Sequence, residues 1–223
     1  MSSDATIGGI APALRDGAIS MTRPTTVVFD IGNVLIGWDP RNLYRELFGT
    51  RSDEMEWFLA NVCTSEWNLE QDRGRSFAEG VELLLAEHPE RWHDLIRVYD
   101  TRWTEMLSGE IAGSVAILDA LHARGTPLYA ITNWNQDTFR RKHHRCLERF
   151  RGIVVSGEER LVKPDLAIYR LFCQRYGVRA ADCVFVDDST KNVSGAQAAG
   201  MHGVLFESPE RLERDLRELG FEL

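Results

Sequence analysis

Three aspartates of the chain stand where a buried hydrophobic run ends. Asp30 follows the β-branched and aromatic residues 25–29, and Asp187 and Asp188 follow the apolar residues 183–186. Carboxylates crowded together in a protein interior repel one another and raise one another's pKa values, and a hard divalent cation removes that repulsion. Because the group offers only oxygen ligands and includes neither His nor Cys, it favours Mg²⁺ over zinc.

Two further polar residues have the chemistry to bind an anion beside these carboxylates. Thr132 places a hydroxyl after the apolar residues 127–131, and the backbone amides that follow open toward a helix and suit phosphate oxygens. Lys163 precedes Pro164, which fixes the chain as it enters a helix and therefore aims the lysine. Each residue alone has an equally good structural explanation, such as helix capping by Thr132. Their order and their common position at strand ends favour one shared site.

The elements that must position these side chains alternate between strand and helix. Strands are predicted at residues 25–29, 127–131, 152–155 and 183–186, and helices at 111–123, 136–150, 165–176, 189–199 and 209–219. This alternation predicts an α/β fold with a Rossmann-like, doubly wound parallel sheet covered by helices on both faces. Because ligands of such sheets bind at the carboxyl ends of the strands, the polar residues are expected to converge there.

One long segment interrupts this alternation. Residues 40–106 carry helical patterns alone and predict an inserted helical subdomain. We therefore expect a core built from residues 23–39 and 107–223, with a helical cap at 40–106. Residues 1–22 are small and polar with adjacent glycines, which is typical of a disordered extension.

The composition argues against nucleic acid and membranes as partners. Asp and Glu number 34 against 26 Lys and Arg, which gives a formal net charge of -8. The basic run 140–145 has no interleaved aromatic residues and is typical of a solvated helix face. No apolar run approaches the roughly 20 residues of a membrane helix. The four widely spaced cysteines fit reduced thiols in a cytoplasmic protein.

The polar groups form four motifs that resemble those of haloacid dehalogenase (HAD) superfamily hydrolases with a helical cap inserted after the first strand. In chain order they are Asp30-Ile31-Gly32-Asn33-Val34, Thr132-Asn133, Lys163-Pro164-Asp165 and Asp187-Asp188-Ser189-Thr190-Lys191-Asn192. The similarity runs from about residue 24 to the end of the chain and includes residues 195–201.

This resemblance implies an enzyme that hydrolyses a small phosphorylated metabolite with Mg²⁺ as cofactor. Asp30 would be the nucleophile and would form an aspartyl-phosphate that water then hydrolyses. The carboxylates of Asp30 and Asp188 and the carbonyl of Gly32 would hold the metal, with Asp187 binding directly or through water.

The resemblance also implies which residues bind the substrate. Thr132 and Lys163 would bind the transferring phosphoryl group, where positioning and charge neutralisation supply most of the catalysis. Asn133 follows Thr132 and is a substrate-binding candidate. In the expected cap, Trp67 and Arg73 are the specificity candidates, because Trp67 can stack on a sugar and Arg73 can pair with a phosphate. Packing of Trp67 in the helical bundle and solvation of Arg73 are the competing roles.

The first motif departs from the usual phosphatase pattern at Gly32. Family phosphatases carry there a second aspartate that protonates the leaving alcohol, and general acid catalysis of this kind contributes about 10²–10⁴ in rate. Glycine keeps the backbone carbonyl for the metal but has no proton to give. Asp39, Asn33 or a cap residue are the candidates to replace it, and capping of a helix before Pro40 is the competing role for Asp39.

Three functions are compatible with this departure. The favoured one is a phosphatase whose leaving group needs little acid assistance, such as an anomeric sugar phosphate, because the first motif is similar to that of bacterial alpha-glucose-1-phosphate phosphatases. The second is a 2-haloacid dehalogenase acting through an aspartyl ester, in which the halide leaves unprotonated; Asp187 and Asp188 would then lack a chemical purpose. The third is a binding protein with a dormant site, which Gly32 permits and the otherwise complete motifs disfavour.

Overall fold

A computed structural model describes residues 23–141 and 144–223, and the predicted disordered extension at 1–22 lies outside the described residues. The strands are β1 (Thr26–Phe29), β2 (Ile36–Trp38), β3 (Leu107–Glu110), β4 (Leu128–Thr132), β5 (Gly152–Val155), β6 (Cys183–Asp187) and β7 (His202–Leu205). The α-helices are α1 (Arg41–Phe48), α2 (Ser52–Asn61), α3 (Ser65–Asp72), α4 (Phe77–Glu87), α5 (His93–Thr101), α6 (Ala112–Ala123), α7 (Gln136–Arg141), α8 (Ser156–Glu159), α9 (Leu166–Tyr176), α10 (Thr190–Ala198) and α11 (Pro209–Glu218). No helix of the described ranges is both long and apolar enough to cross a membrane.

Five strands form one parallel sheet in the order β5-β4-β1-β6-β7. The central strand is β1, in which Phe29 pairs with Ala130 of β4 and with Val186 of β6. Because the strands run in the same direction, Asp30, Thr132 and the aspartates at the end of β6 come to the same edge of the sheet. The predicted Rossmann-like parallel sheet is confirmed.

Alternate residues of β1 face two different hydrophobic cores, as the two-residue repeat of a strand requires. Val27 and Phe29 pack in one core with α6 and α11, whereas Val28 packs in the other with α9 and α10. Helices therefore cover both faces of the sheet, and the strand ends are its accessible part.

A helical insertion, residues 40–106, leaves and rejoins the core through a two-stranded ribbon. In this ribbon β2 pairs antiparallel with β3, with Ile36 opposite Glu110. The insertion has its own aromatic interior, in which Phe58 lies 5.2 Å from Tyr44 and 5.4 Å from Trp92 between ring centroids. Its α3 contacts α8 of the core, so the insertion packs beside the carboxyl edge of the sheet.

The single helix predicted at 136–150 is wrong. Helix α7 ends early, the backbone at His144 is extended, and a 3-10 turn spans Arg145–Arg149. After this turn the Phe150 ring packs 6.1 Å from the Phe29 ring. Packing against the sheet thus overrides the helical pattern of the local sequence.

Candidate active site

The loop after β1 holds Asp30 at the edge of the sheet. The Asp30 N–H donates to the Val186 carbonyl at 2.8 Å, which continues the pairing of β1 with β6. The Ile31 N–H donates to Asp30 Oδ1 at 2.7 Å and orients the carboxylate. The chain then turns at Asn33, where φ is 55°, a left-handed conformation that Asn adopts more readily than most residues. Asn33 Oδ1 closes the turn by accepting the Trp38 N–H at 2.8 Å.

The end of β6 brings two more carboxylates to Asp30. Asp187 is fully buried and accepts hydrogen bonds from the Ser189 N–H at 2.8 Å and from Asn192 Nδ2 at 3.0 Å. One carboxylate oxygen from each of Asp30, Asp187 and Asp188 lies within 4.8 Å of the other two. Three carboxylates at this separation repel one another and need positive charge beside them.

Lys163 supplies part of that positive charge. Its fully buried Nζ lies 2.7 Å from Asp30 Oδ1 and 2.7 Å from Asp187 Oδ2. Asn133 holds the backbone of Lys163, because its Oδ1 accepts the Lys163 N–H at 2.8 Å and its Nδ2 donates to the Lys163 carbonyl at 3.1 Å. The second and third motifs are therefore joined directly, and the ammonium is fixed between two carboxylates.

Burial dominates the electrostatics of this cluster. Desolvation raises the pKa of Asp30 to about 7; Lys163 opposes this shift, and Asp187 adds to it. Desolvation also raises the pKa of Asp188, and the charge of Asp187 strengthens that shift. For Lys163 burial acts to lower the pKa, but the carboxylates of Asp30 and Asp187 outweigh it and raise the pKa above its usual value. One ammonium therefore does not balance the carboxylates around it.

The acidic cluster fits a hard divalent cation. Its donors are the oxygens of three carboxylates, and the single buried ammonium leaves negative charge uncompensated. Gly32 follows Asp30 by two residues in the same turn. Oxygen ligands and excess negative charge are what Mg²⁺ requires of a protein site, whereas zinc sites use His and Cys. The residues present therefore suit the magnesium ion predicted from the sequence.

Thr132 brings a buried hydroxyl to the same edge. The residue has no exposed surface, and its Oγ1 has no hydrogen-bond partner within the described residues. A buried polar group left unpaired costs about 1–3 kcal/mol. An unpaired hydroxyl at the end of β4, the strand that pairs with β1, is therefore suited to a ligand oxygen.

A cavity of about 90 Å³ lies between the insertion and the core beside this cluster. The residues that line it are Gly32, Trp38, Asn68, Asp72, Trp103, Asn133 and Trp134. Three of the seven lining residues are tryptophans, and the rings of Trp103 and Trp134 are 5.3 Å apart. Within the ranges that the structure describes, the buried Nε1 atoms of Trp38 and Trp134 have no hydrogen-bond partner. The cavity thus combines apolar surface with two unused indole donors.

The comparison with protein families decides the classification. A family model described as haloacid dehalogenase-like hydrolase matches residues 24–200. The chain belongs to this family. It is therefore a hydrolytic enzyme, and the site just described holds the residues of all four motifs.

Individual relatives of this hydrolase include named phosphatases. It is 28% identical over 194 residues to the sesquiterpene phosphatase astK of Aspergillus oryzae, a match that covers 86% of this chain and 94% of that protein. It is 33% identical over 82 residues to the human N-acylneuraminate-9-phosphatase, which covers 35% of this chain and 33% of that protein. Among solved structures, the magnesium complex of a HAD family enzyme from Bacteroides thetaiotaomicron superposes with a TM-score of 0.64 at 19% identity, covering 88% of this chain and 100% of that chain. This last likeness shows the shared fold.

Two residues predicted to bind substrate in this hydrolase are not among the residues that line the cavity. Trp67 is buried in the interior of the insertion, where its Nε1 donates to the Gly80 carbonyl at 3.0 Å and its ring packs edge-on against Tyr99 at 4.9 Å. Arg73 pairs with Asp165 of the core at 3.2 Å. These contacts give both residues a structural role, and their substrate-binding roles stay predictions.

The cavity instead contains residues that sequence reasoning did not select. Asn68 and Asp72 lie four residues apart on α3, and Asn68 Nδ2 donates to Asp72 Oδ2 at 3.0 Å. The four-residue spacing places both polar side chains on one face of α3, and this spacing is the sequence signal that could have identified them. Trp38 ends β2, just before the insertion, and Trp103 lies near the end of the insertion, so no sequence pattern brings them together.

Proposed function

We propose that this hydrolase is a Mg²⁺-dependent phosphatase that cleaves a small phosphate monoester through an aspartyl-phosphate on Asp30. The observation that supports it best is the buried Asp30 carboxylate, held 2.7 Å from the Lys163 ammonium within a cluster of three carboxylates. The phosphatase activity in the names of relatives such as the astK protein supports the same reaction.

The side chains of the cluster have separate tasks in this proposal. Asp30 attacks phosphorus, and the Ile31 N–H keeps its carboxylate oriented. Lys163 and the free Thr132 hydroxyl bind the oxygens of the transferring phosphoryl group, where charge neutralisation supplies most of the catalysis.

Asp30, Asp188 and the Gly32 carbonyl would hold the metal, with Asp187 binding it directly or through water. When bound, Mg²⁺ neutralises charge on the phosphoryl oxygens.

The cavity suggests a small leaving group. Its volume of about 90 Å³ is far below the roughly 300–1,000 Å³ of typical ligand pockets. The insertion would therefore act as a cap that moves away to admit substrate and closes to exclude water. Indole rings stack on the apolar faces of sugars, and the free Nε1 atoms of Trp38 and Trp134 can donate to hydroxyls. A sugar phosphate is the substrate class that we propose.

The test is Mg²⁺-dependent phosphate release from p-nitrophenyl phosphate, glucose 1-phosphate and glucose 6-phosphate. We expect release from the nitrophenyl ester and from at least one sugar phosphate, and its loss in Asp30→Asn. Asp94→Asn, which changes an exposed aspartate, is the matched control. If no ester releases phosphate in the presence of Mg²⁺, phosphatase action on these substrates is rejected. Halide release from 2-chloropropionate would then support the dehalogenase alternative, and binding of phosphate esters without turnover would support a dormant site.

A further inference from the structure

At Gly32 the site lacks the acidic side chain that family phosphatases carry at this position. A Cβ built at Gly32 would meet no atom within 4 Å, so the space that an acidic side chain would occupy there is open. Gly32 borders the cavity between the insertion and the core. In the proposed reaction, the leaving group of a substrate held by Asp30 would lie in this cavity. A proton donor for the leaving oxygen therefore has to come from another wall of the cavity.

Asp72, the last residue of α3, belongs to that wall. Of the described residues that line the cavity, Asp72 alone carries a carboxyl group. Its Oδ2 accepts from Asn68 Nδ2 at 3.0 Å, and the Asn135 backbone N–H also donates to its carboxyl. Its carbonyl accepts from Ser156 Oγ at 2.6 Å. Two of these three contacts come from the core, so the carboxyl is fixed relative to the Asp30 side of the site.

The two candidates closer in sequence to Gly32 have other partners. Asp39 Oδ1 accepts the Arg41 N–H at 2.8 Å and pairs with the Arg41 guanidinium at 3.4 Å, which is a role at the start of α1. Asn33 Oδ1 accepts the Trp38 N–H, and the Asn33 side chain also hydrogen-bonds Asp188. Neither residue lines the cavity.

The surroundings of Asp72 also favour its acid form. Burial raises the pKa of Asp72 to about 7, the Asn135 N–H opposes the shift, the charge of Asp30 adds to it, and Lys163 opposes it. A carboxyl group that titrates near neutral pH can both give and take a proton during turnover.

We propose that Asp72, on the helical insertion, is the general acid and base of the phosphatase reaction and replaces the aspartate that Gly32 lacks. This inference rests on the proposed function of the site. In the first step Asp30 forms a bond to phosphorus, the bond from phosphorus to the leaving oxygen breaks, and that oxygen takes the Asp72 proton to give an alcohol. In the second step the Asp72 carboxylate takes a proton from water, whose oxygen displaces Asp30 from phosphorus and gives inorganic phosphate.

Two consequences follow for the substrate. The leaving group does not need to be activated, so esters of ordinary alcohols are cleaved as well as anomeric phosphates. Because the acid lies on the insertion and not on the first motif, it reaches the leaving oxygen only when the insertion is packed against the core.

The experiment compares leaving groups in the magnesium-loaded enzyme. We expect Asp72→Asn to lower kcat/KM for benzyl phosphate by about 10²–10⁴, because an alkoxide leaves poorly without a proton. For p-nitrophenyl phosphate, whose anion leaves unprotonated, kcat/KM should fall by less than about tenfold. Rapid mixing of Asp72→Asn with p-nitrophenyl phosphate should give a burst of one nitrophenolate per active site followed by slow turnover, because water then lacks its base.

Asp39→Asn is the matched control and should leave the ratio of the two kcat/KM values unchanged. Asp72→Ser is a second variant that also lacks the carboxyl group. A Tm no lower than that of the wild type in both Asp72 variants excludes a folding defect. The role of Asp72 would be overturned if kcat/KM fell equally for both esters in these folded variants, or if it did not fall for benzyl phosphate. It would also be overturned if Asp39→Asn showed the selective loss on benzyl phosphate. A wild-type enzyme without Mg²⁺-dependent activity, or an active Asp30→Asn, would instead refute the proposed function.

Discussion

At the scale of single residues, the site depends on Lys163. Its ammonium is fully buried and lies between the carboxylates of Asp30 and Asp187. Taking three charges out of water is expensive, and the cost is offset only while every charge keeps a partner. The same arrangement keeps an ammonium beside the nucleophile for an incoming phosphoryl group. Stability and anion binding thus depend on the same buried charge.

The carboxyl of Asp72 should make stability depend on pH. Its pKa is raised by burial from 3.8 to about 7 in the folded protein. Between these values the folded protein holds a proton that the unfolded chain has released, so wild-type stability falls as pH rises through this window. Asn does not titrate, so Asp72→Asn should be more stable than the wild type at pH 8. We expect a difference of about 1–2 kcal/mol in the free energy of unfolding. This is less than the full pKa shift corresponds to, because Asp72 is partly exposed and solvent screens its charge.

This effect is measured by urea unfolding in EDTA at pH 4 and at pH 8. The two proteins should differ much less at pH 4, which is close to the unfolded-state pKa of 3.8, than at pH 8, which lies above both pKa values. Asp94→Asn controls for the loss of an exposed negative charge. A stability difference of the same size at both pH values would contradict the assigned pKa shift.

The site residues that lie at the ends of strands were predictable from the sequence. Asp30, Thr132 and Asp187 each end or follow a short buried strand, so their meeting follows from the parallel sheet alone. Asp72 was not predictable in this way, because its place beside Gly32 results from packing of the insertion on the core. The roles predicted for Trp67 and Arg73 relied on residue type and ignored this packing.

At the scale of elements, the loop after β4 joins the insertion to the core. Asn135 is fully buried there; its Nδ2 donates to the carbonyls of Gln71 at 2.9 Å and Arg75 at 3.0 Å, and its Oδ1 accepts the Asp137 N–H at 2.9 Å. The carbonyls belong to the end of α3 and the residues after it. One side chain therefore ties the segment that carries Asp72 to the edge of the sheet.

Replacing Asn135 by Ala should weaken this junction. Buried carbonyl and N–H groups would lose their partners, which we expect to lower the free energy of unfolding by about 2–3 kcal/mol. Because Asp72 would also lose its fixed position, kcat/KM for benzyl phosphate should fall more than for p-nitrophenyl phosphate. Asn61→Ala is the control, since Asn61 is exposed and bonds only within α2. Unchanged urea unfolding in Asn135→Ala would contradict this role.

The strands of the core were predicted where the sequence contains a continuous apolar run. Strands β1, β4, β5 and β6 are short apolar runs that end in polar residues, and the sequence shows them. Strand β7 was missed because its four residues include His202 and Gly203. The ribbon of β2 and β3 was missed for a different reason. Its two strands lie far apart in the sequence, so no local pattern indicates their pairing. Helix α3 has few apolar residues, and its place comes from tertiary contacts.

At the scale of the whole molecule, the closed cavity and the position of Asp72 imply movement of the insertion. The contacts that hold the insertion on the core near the site are both polar and apolar. They are the ion pairs of Arg73 with Asp165 and of Arg141 with Asp100, the buried hydrogen bonds of Asn135, and the ring contact of Trp103 with Trp134. Gly74 lies close to the core, since a Cβ there would lie 2.8 Å from the Gly157 carbonyl. The exposed ion pairs exchange readily with water, whereas the buried hydrogen bonds of Asn135 break when the insertion separates from the core.

This movement predicts that a bound phosphate mimic slows hydrogen exchange at the junction. With Mg²⁺ and orthovanadate in the site, we expect the amides of residues 65–75 to exchange at least about threefold more slowly, because ligand contacts favour the closed arrangement. Residues 166–176, which form α9 on one face of the sheet, serve as the internal control and should not change. Equal exchange at 65–75 with and without the mimic would mean that the insertion does not close on the substrate, and Asp72 would then be in place before binding.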